Sequence, residues 1–263
     1  VLLGLKNLVE IHENKDFILA LARRELVSKY KQSLLGKLWI IIQPLGLMLV
    51  LTIVFSLFVR LPSEGLPYAP FLFVALLPYL FFSKAIGAST GLINSYSGLI
   101  KQRNFYRPAL VLIKFLSETV NFGFTLIGLV LVLLYYQLFP GLNALYAIPI
   151  LCIQMIMMLG FMFLLAALNA YVRDVGVVAP LVLRMLRYLS PIMYSFSAIP
   201  LQYQPYVALN PLTGIFDGYR QAILHNQPPD LLMLVYSLVF SVVVFIIGWI
   251  VFMKLEKNFA DVV

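Results

Sequence analysis

Six apolar runs separated by short polar connections leave this chain little to be except a bundle of membrane-crossing helices. The runs lie at about 38–59, 66–100, 109–136, 142–172, 175–199 and 231–253. Each reaches the roughly 20 residues that a helix needs to cross a hydrocarbon core of ~30 Å. Inside lipid, backbone N–H and C=O groups must be paired within the segment itself, so the fold class is an all-α integral membrane protein. Of 263 residues, 62% are hydrophobic and only 11% charged, against about 25% charged in soluble domains, and no length remains for one.

The cations give the bundle a direction. With the N-terminus placed in the cytoplasm, the inside segments, counted with the adjoining run ends that carry Lys114, Arg184 and Arg187, hold 16 of the 19 Lys and Arg, while Arg60 and Arg220 fall outside and Lys84 falls within the second run. The positive-inside bias then predicts a multi-pass protein of the cytoplasmic (inner or plasma) membrane with both termini cytoplasmic. A net charge of +8 comes with no nucleic-acid motif, so anionic headgroups are the expected counter-charge and no nucleic-acid partner is expected. The single cysteine, Cys152, lies mid-run, which excludes an intrachain disulfide and a Cys-rich metal site. The opening residues lack the basic region and small-residue cleavage site of a leader.

Three parts follow: a cytoplasmic N-terminal segment at 1–37, a six-span domain at 38–253 and a cytoplasmic tail at 254–263. From Phe17 onward the first part reads as an amphipathic interfacial helix. Leu19, Leu26, Val27, Tyr30 and Leu34 share one face and Arg24, Ser28, Lys31 and Gln32 the other. Arg23 and Lys37 interrupt the apolar stripe and are expected to snorkel. Pro44 and Gly46 predict a kink in the first run. The second run, 35 residues, would measure about 52 Å as one helix, so it must bend, tilt or project into the cytoplasm. Gly98–Pro108, with Lys101, Arg103, Arg107, Phe105 and Tyr106, suits either a short helix docking on another protein or a solvated turn. Between Pro200 and Asp230 the apolar pieces are too short to cross, and prolines 205, 211, 228 and 229 punctuate them. Re-entrant or gate helices on the outer face are expected there.

No catalytic constellation is present in the sequence. Gly36-Lys37 lacks the upstream glycine of a phosphate loop, and His12 and His225 have no metal-ligand spacing. The chain is expected to be no enzyme and to hold no metal or cofactor. Charges inside the runs carry more information, because each costs about 2.5–3.5 kcal/mol at a helix centre on insertion scales. Lys84 and Glu118 are candidates for an internal ion pair. Arg184 and Arg187, three apart on run five, either line a pathway or snorkel to the inner headgroups. Tyr188, Tyr194 and Phe196, and Tyr203, Tyr206 and Tyr219 beyond them, are belt or core residues, or stacking faces for sugar rings.

Four strings add a resemblance. KYKQSLLGKLWIIIQPL at Lys29–Leu45, NAYVRDVG at Asn169–Gly176, SPIMYSFSAIP at Ser190–Pro200 and LNPLTGIFDGYRQAIL at Leu209–Leu224 occur in that order. They resemble the blocks of ABC-2-type permease subunits that export O-antigen, capsule or teichoic acid polysaccharides. The resemblance implies a homodimer of six-span protomers seated on two copies of a nucleotide-binding subunit, which binds ATP and Mg. It implies an entrance helix with Arg23, Arg24, Lys29, Tyr30 and Lys31 ahead of Trp39. It assigns ATPase coupling to Lys101, Arg103, Phe105, Tyr106, Arg107, Arg173 and Asp174. The outer gate falls at Pro200, Asn210, Pro211, Tyr219 and Arg220, and the cargo would be a lipid-pyrophosphate-linked polysaccharide. The family's fifth span is expected to be largely uncharged before its Ser-Pro block. The expectation here is therefore that Arg184 and Arg187 face a channel, with Tyr188, Tyr194 and Phe196, and meet the pyrophosphate. An ABC-2 exporter of a drug or small lipid is the alternative. An ion-coupled carrier or flippase would show internal repeats, and none is seen. A membrane-embedded glycan-transferring enzyme would need paired carboxylates or a metal motif.

Overall fold

In the computed structural model, which describes residues 15–28, 34–101 and 105–262, every regular element is helical. A surface helix α1 (Lys15–Ser28) precedes the first span, which runs from a 3₁₀ turn at Gly36–Leu38 through α2 (Trp39–Thr52) into a π-helical stretch at Ile53–Phe58. The second run becomes α3 (Tyr68–Thr90) followed by two single turns, α4 (Leu92–Ser95) and α5 (Ser97–Ile100). Then come α6 (Pro108–Tyr135) and a 3₁₀ turn at Leu142–Tyr146 leading into α7 (Ala147–Tyr171). They are followed by α8 (Val175–Leu189), α9 (Gln204–Ala208), α10 (Pro211–Ile223), α11 (Leu231–Leu255) and α12 (Phe259–Val262).

Local chemistry sets these bounds. Pro108 and Pro211 stand in the first helical turn, where a missing N–H costs nothing. The Asn210 side chain accepts from Leu212 N at 3.1 Å, and the Asp230 carboxylate from Leu232 N at 2.8 Å and Met233 N at 3.1 Å. Each thereby satisfies otherwise orphaned N-terminal donors. The long second run resolves as its length demands, by breaking at Gly91 and Tyr96.

Among the described residues, five helices are long and apolar enough to cross a membrane: Gly36–Phe58, Tyr68–Thr90, Pro108–Tyr135, Leu142–Tyr171 and Leu231–Asn258. The run expected at 175–199 is the exception. Its helix, α8, has 15 residues and measures about 22 Å, short of a ~30 Å core. It stops at Ser190, which is extended (φ −92°, ψ 148°) because the ring of Pro191 crowds the helical region of the residue before it. The apolar run therefore continues past the point where the helix ends.

The centre of the bundle is α3, which touches α2, α6, α7, α8 and α10. The most apolar window of α3 is 78% buried, against 17% for the first span and 22% for the last, so α3 is the core and the outer spans present apolar faces outward. The closest helix pair is α7 with α11. It turns on two glycines: a Cβ on Gly160 would lie 2.6 Å from Phe245 N, and one on Gly248 would overlap the Gly160 carbonyl. Small residues bring the backbones together where lipid supplies no hydrophobic drive. Beside them Phe163 meets Trp249 at 5.0 Å and Phe252 at 5.2 Å edge-on.

The connections gather in two groups. In one, Glu64 bonds Ser195, Ser197 and His225, and Asn143 bonds Asn226. In the other, Arg107 bonds the Glu256 carbonyl at 2.7 Å, Tyr171 bonds that of Leu255 at 2.9 Å, and α1 lies on the start of α6.

Gly248→Val should cost about 1–3 kcal/mol by overpacking, read as a fall in thermal unfolding temperature in detergent. Gly123→Ala, where a Cβ meets nothing within 4 Å, should be neutral or stabilise by about 0.5–1 kcal/mol.

Candidate functional site

Breaking a helix inside an apolar bundle frees carbonyls that lipid cannot bond. Here one side chain takes them. Arg220, on α10, is 1% exposed. Its Nη1 donates to the Pro191 carbonyl at 2.6 Å and to that of Tyr194 at 3.2 Å. Its Nη2 donates to Ile192 at 2.5 Å and its Nε to Phe71 on α3 at 3.2 Å. The guanidinium also lies 3.8 Å from the Phe71 ring centroid. Five donors in a rigid fork are what such a cluster of carbonyls needs, and a lysine has no equivalent.

Further bonds tie the turn at Ser190–Tyr194 to the segment around Leu209–Leu224. Asn210 Nδ2 donates to Ser190 Oγ at 2.8 Å, and the Tyr68 hydroxyl donates to the Met193 carbonyl at 2.6 Å. Tyr219, 4% exposed, reaches Gln154 Oε1 at 3.2 Å, and Gln154 Nε2 donates to the Pro78 carbonyl at 2.8 Å. Gly214 allows α10 to meet α11, since a Cβ there would lie 2.7 Å from the Met233 carbonyl. Of the residues assigned to an outer gate, Asn210, Pro211, Tyr219 and Arg220 are thus brought together as the frame of this segment, and Pro200 stays exposed.

Glu64 closes the frame from the connection between the first two spans, where its backbone is left-handed (φ 56°). Its carboxylate accepts from the Ser195 and Ser197 hydroxyls, the latter at 3.0 Å, and lies 2.8 Å from His225 Nε2. Burial pushes the Glu64 carboxyl up. The bonds from Ser195 and Ser197 and the His225 side chain outweigh burial and hold the group below its ordinary value of 4.5.

Along α8 the predicted channel residues separate. Arg184 is exposed, as is Tyr188, whereas Arg187 is half-buried with its guanidinium 5.4 Å from the Tyr79 ring centroid. Arg187 Nε has no hydrogen-bond partner among the described residues. Tyr194 donates towards the Tyr188 and Leu189 carbonyls, both at 3.2 Å, and Phe196 is half-buried. Behind α8 lies an apolar cavity of about 360 Å³, walled by Phe82, Phe161, Leu168, Val175, Ala179 and Leu186, with Asp174 at its edge.

On the opposite side, α1 packs through Ile18 and Ala22 onto Ala109 and Ile113. Leu19, read as part of the apolar stripe, is 58% exposed and lies beside the Ile18–Ala22 face that meets α6. Arg23 and Arg24 are exposed, as is Trp39, while Lys29, Tyr30, Lys31 and Arg103 lie outside the described residues. Arg107 is committed to the end of the last span through the Glu256 carbonyl, and Tyr106 packs against the small cluster around Ile18. Phe105 meets Phe17 edge-on at 6.0 Å, which leaves Lys101, Arg173 and Asp174 as exposed charges on this side. Lys84, Glu118, Asn121 and Thr125 line one small pocket that apolar side chains otherwise wall. Among the described residues, no group of three or more His, Cys, Asp or Glu is placed to hold a metal ion.

The role of Arg220 is what the sequence did not yield. The available signal was its exception to the charge bias, one of two cations on the outer side.

Residues 17–224 match the model of a family described as ABC-2 type transporter. An O-antigen export system permease protein RfbA of Klebsiella pneumoniae is 25% identical over 249 residues, covering 94% of this chain and 95% of the relative. Another from Myxococcus xanthus is 25% identical over 254 residues, covering 96% and 97%. A polysialic acid transport protein KpsM of Escherichia coli is 25% identical over 239 residues, covering 90% and 93%.

Arg220→Met should destabilise the protein by about 3 kcal/mol or more in thermal unfolding, because several buried carbonyls lose their donor, and Arg220→Lys should recover only part of this. Because the Glu64 value is lowered, its stabilising contribution is fully present above pH 4.5 and is lost as pH falls through the folded value. Wild type should therefore lose stability on acidification below about pH 4.5. Glu64→Gln should be less stable at pH 7 and show a shallower acid limb.

Proposed function

This chain belongs to the ABC-2 type transporter family, and from that premise we propose that it is the permease subunit of a cell-surface polysaccharide exporter. The cargo is a lipid-pyrophosphate-linked glycan of the O-antigen, capsule or teichoic acid type, moved across the cytoplasmic membrane. ATP, with Mg, is bound and hydrolysed by two copies of a separate subunit seated on a homodimer of this chain. The observation that carries the reading is the end-to-end correspondence with relatives whose stated role is O-antigen export or polysialic acid transport.

The proposed topology has six crossings, with both termini and the tail from residue 254 in the cytoplasm. Its support is the sorting of connections: Glu64, Asn143, Ser195 and His225 or their neighbours bond one another, and Arg107, Tyr171 and α1 belong to the other group. Val175 begins near one group and Ser195 belongs to the other, so α8 and the turn held by Arg220 together make the fifth crossing. The segment from Pro200 to Gln227 is the outer gate. Trp39 and the end of α1 flank the cytoplasmic entrance. Lys101, Arg173 and Asp174, being exposed, are the coupling contacts for the ATPase, with Phe105 beside them.

Arg184 is the stronger channel residue of its pair because its charge is exposed, whereas Arg187 is engaged with Tyr79. A guanidinium pairs with a pyrophosphate through parallel charge-assisted hydrogen bonds, and that pairing offsets its desolvation. The apolar cavity behind α8 favours one second reading, an exporter of a small lipid.

Arg184→Gln should lower glycan export at least tenfold while co-purification with the ATPase is unchanged, and Arg184→Gln with Arg187→Gln should abolish export. Export at the wild-type level in the double variant would remove the headgroup role. The chain purified alone in vesicles should not turn over ATP. With its partner, hydrolysis stimulated by lipid-linked glycan supports the glycan reading, and stimulation by small lipids alone supports the second.

A further inference from the structure

Two polar features inside the inner half of the bundle join into one path. The first is at the surface helix. Lys114 on α6 pairs with Glu25 of α1, and Ser117 Oγ lies 3.2 Å from the Ala22 carbonyl and 3.4 Å from Glu25 Oε2. Among the described residues, the apolar support for this docking is a second cluster of Ile18, Ala22, Ala109 and Ile113, with Leu21, Tyr106, Leu112 and Leu116 packed against it. A surface helix docked on a small cluster lies towards the low-stability end of a fold.

The second feature begins one turn further along α6. Glu118, 5% exposed, lies 3.9 Å from Lys114 Nζ through Oε1 and accepts from Asn121 Nδ2 at 3.3 Å through Oε2. Asn121 is 7% exposed, and its Oδ1 has no hydrogen-bond partner among the described residues. Glu118, Asn121 and Thr125 line a pocket of about 30 Å³ with Lys84 of α3 and with Ile40 and Pro44 of the first span. Pro44 has no N–H to return to the Ile40 carbonyl one turn before it, so the first span contributes a weakened helical turn to this polar wall. The space suits one water bridging Asn121 Oδ1 to its neighbours.

We infer that Glu118 is a positioning residue that makes docking of the surface helix and the packing of the pocket beside Pro44 of the first span a single linked equilibrium. Its carboxylate faces Lys114 on one side and Asn121 on the other, in the pocket it shares with Lys84 and Pro44. Moving α1 away withdraws Glu25 from Lys114 and leaves that ammonium to Glu118 alone, and reorienting Glu118 towards it changes what Asn121 can bond in the pocket. The inference concerns the inner half of the protomer and does not depend on the cargo.

Electron spin-label distances between Leu19 and Val177, both exposed, test it in full-length protein in nanodiscs with Cys152 replaced by alanine. The unaltered network should give one narrow distribution. Glu25→Gln or Lys114→Met should add a second, longer population. Asn121→Leu, which touches neither Glu25 nor Lys114, should also add the longer population. Should Asn121→Leu fail to fold, Thr125→Val, which removes a hydroxyl from the same pocket, takes its place. A narrow distribution in both Glu25→Gln and Lys114→Met would overturn the clamp. An unchanged distribution in the folded pocket variant would overturn the linkage.

Discussion

The fold depends on how the carbonyls at the end of a broken helix are satisfied inside an apolar bundle. α8 ends at Ser190 because Pro191 follows, and lipid offers no donors to the turn that begins there. Arg220 supplies them, reaching carbonyls of Pro191, Ile192 and Tyr194 and also that of Phe71 on the central helix. One buried guanidinium thereby fixes the turn, the helix α10 that carries it and the core helix α3 as a unit. Irregular backbone at membrane depth is tolerated where protein buries it in this way.

Consequences run outward from that unit. Gly214 and Ser237 let α10 and α11 meet closely, and Gly160 with Gly248 lock α11 to α7. Asn210 and Glu64 close the segment between α8 and α11 from two further directions. At the opposite end the last span is tied down through Arg107 and Tyr171, and α1 docks beside it through a second, smaller apolar cluster and the Glu25–Lys114 pair.

Most of the architecture was legible because lipid makes strong demands on sequence. Apolar run length marked four of the long helices within five residues, and the other, Tyr68–Thr90, lies inside the run 66–100 whose excess length called for a bend, tilt or projection. At 175–199 the apolar residues continue past Pro191, so the run is longer than the helix it contains. Hydropathy reports solvent preference and carries no account of backbone pairing. The surface helix was legible as a helix, but the second face that docks on α6 through Ile18 and Ala22 was not, because that contact is tertiary. Arg220 was read as a gate charge, and its pairing with carbonyls about 26–29 residues earlier is tertiary information that spacing does not hold. The four motif strings did carry the family, which the match over residues 17–224 bears out.

The central claim is that a 15-residue helix, completed by a turn held on Arg220, carries the chain across the membrane. Membrane-impermeant maleimide labelling of single cysteines at Arg173 and Tyr203, in sealed right-side-out vesicles lacking Cys152, tests it most directly. The account predicts that Tyr203→Cys reacts in intact vesicles and Arg173→Cys only after permeabilisation. Reaction of both from the same side would contradict it.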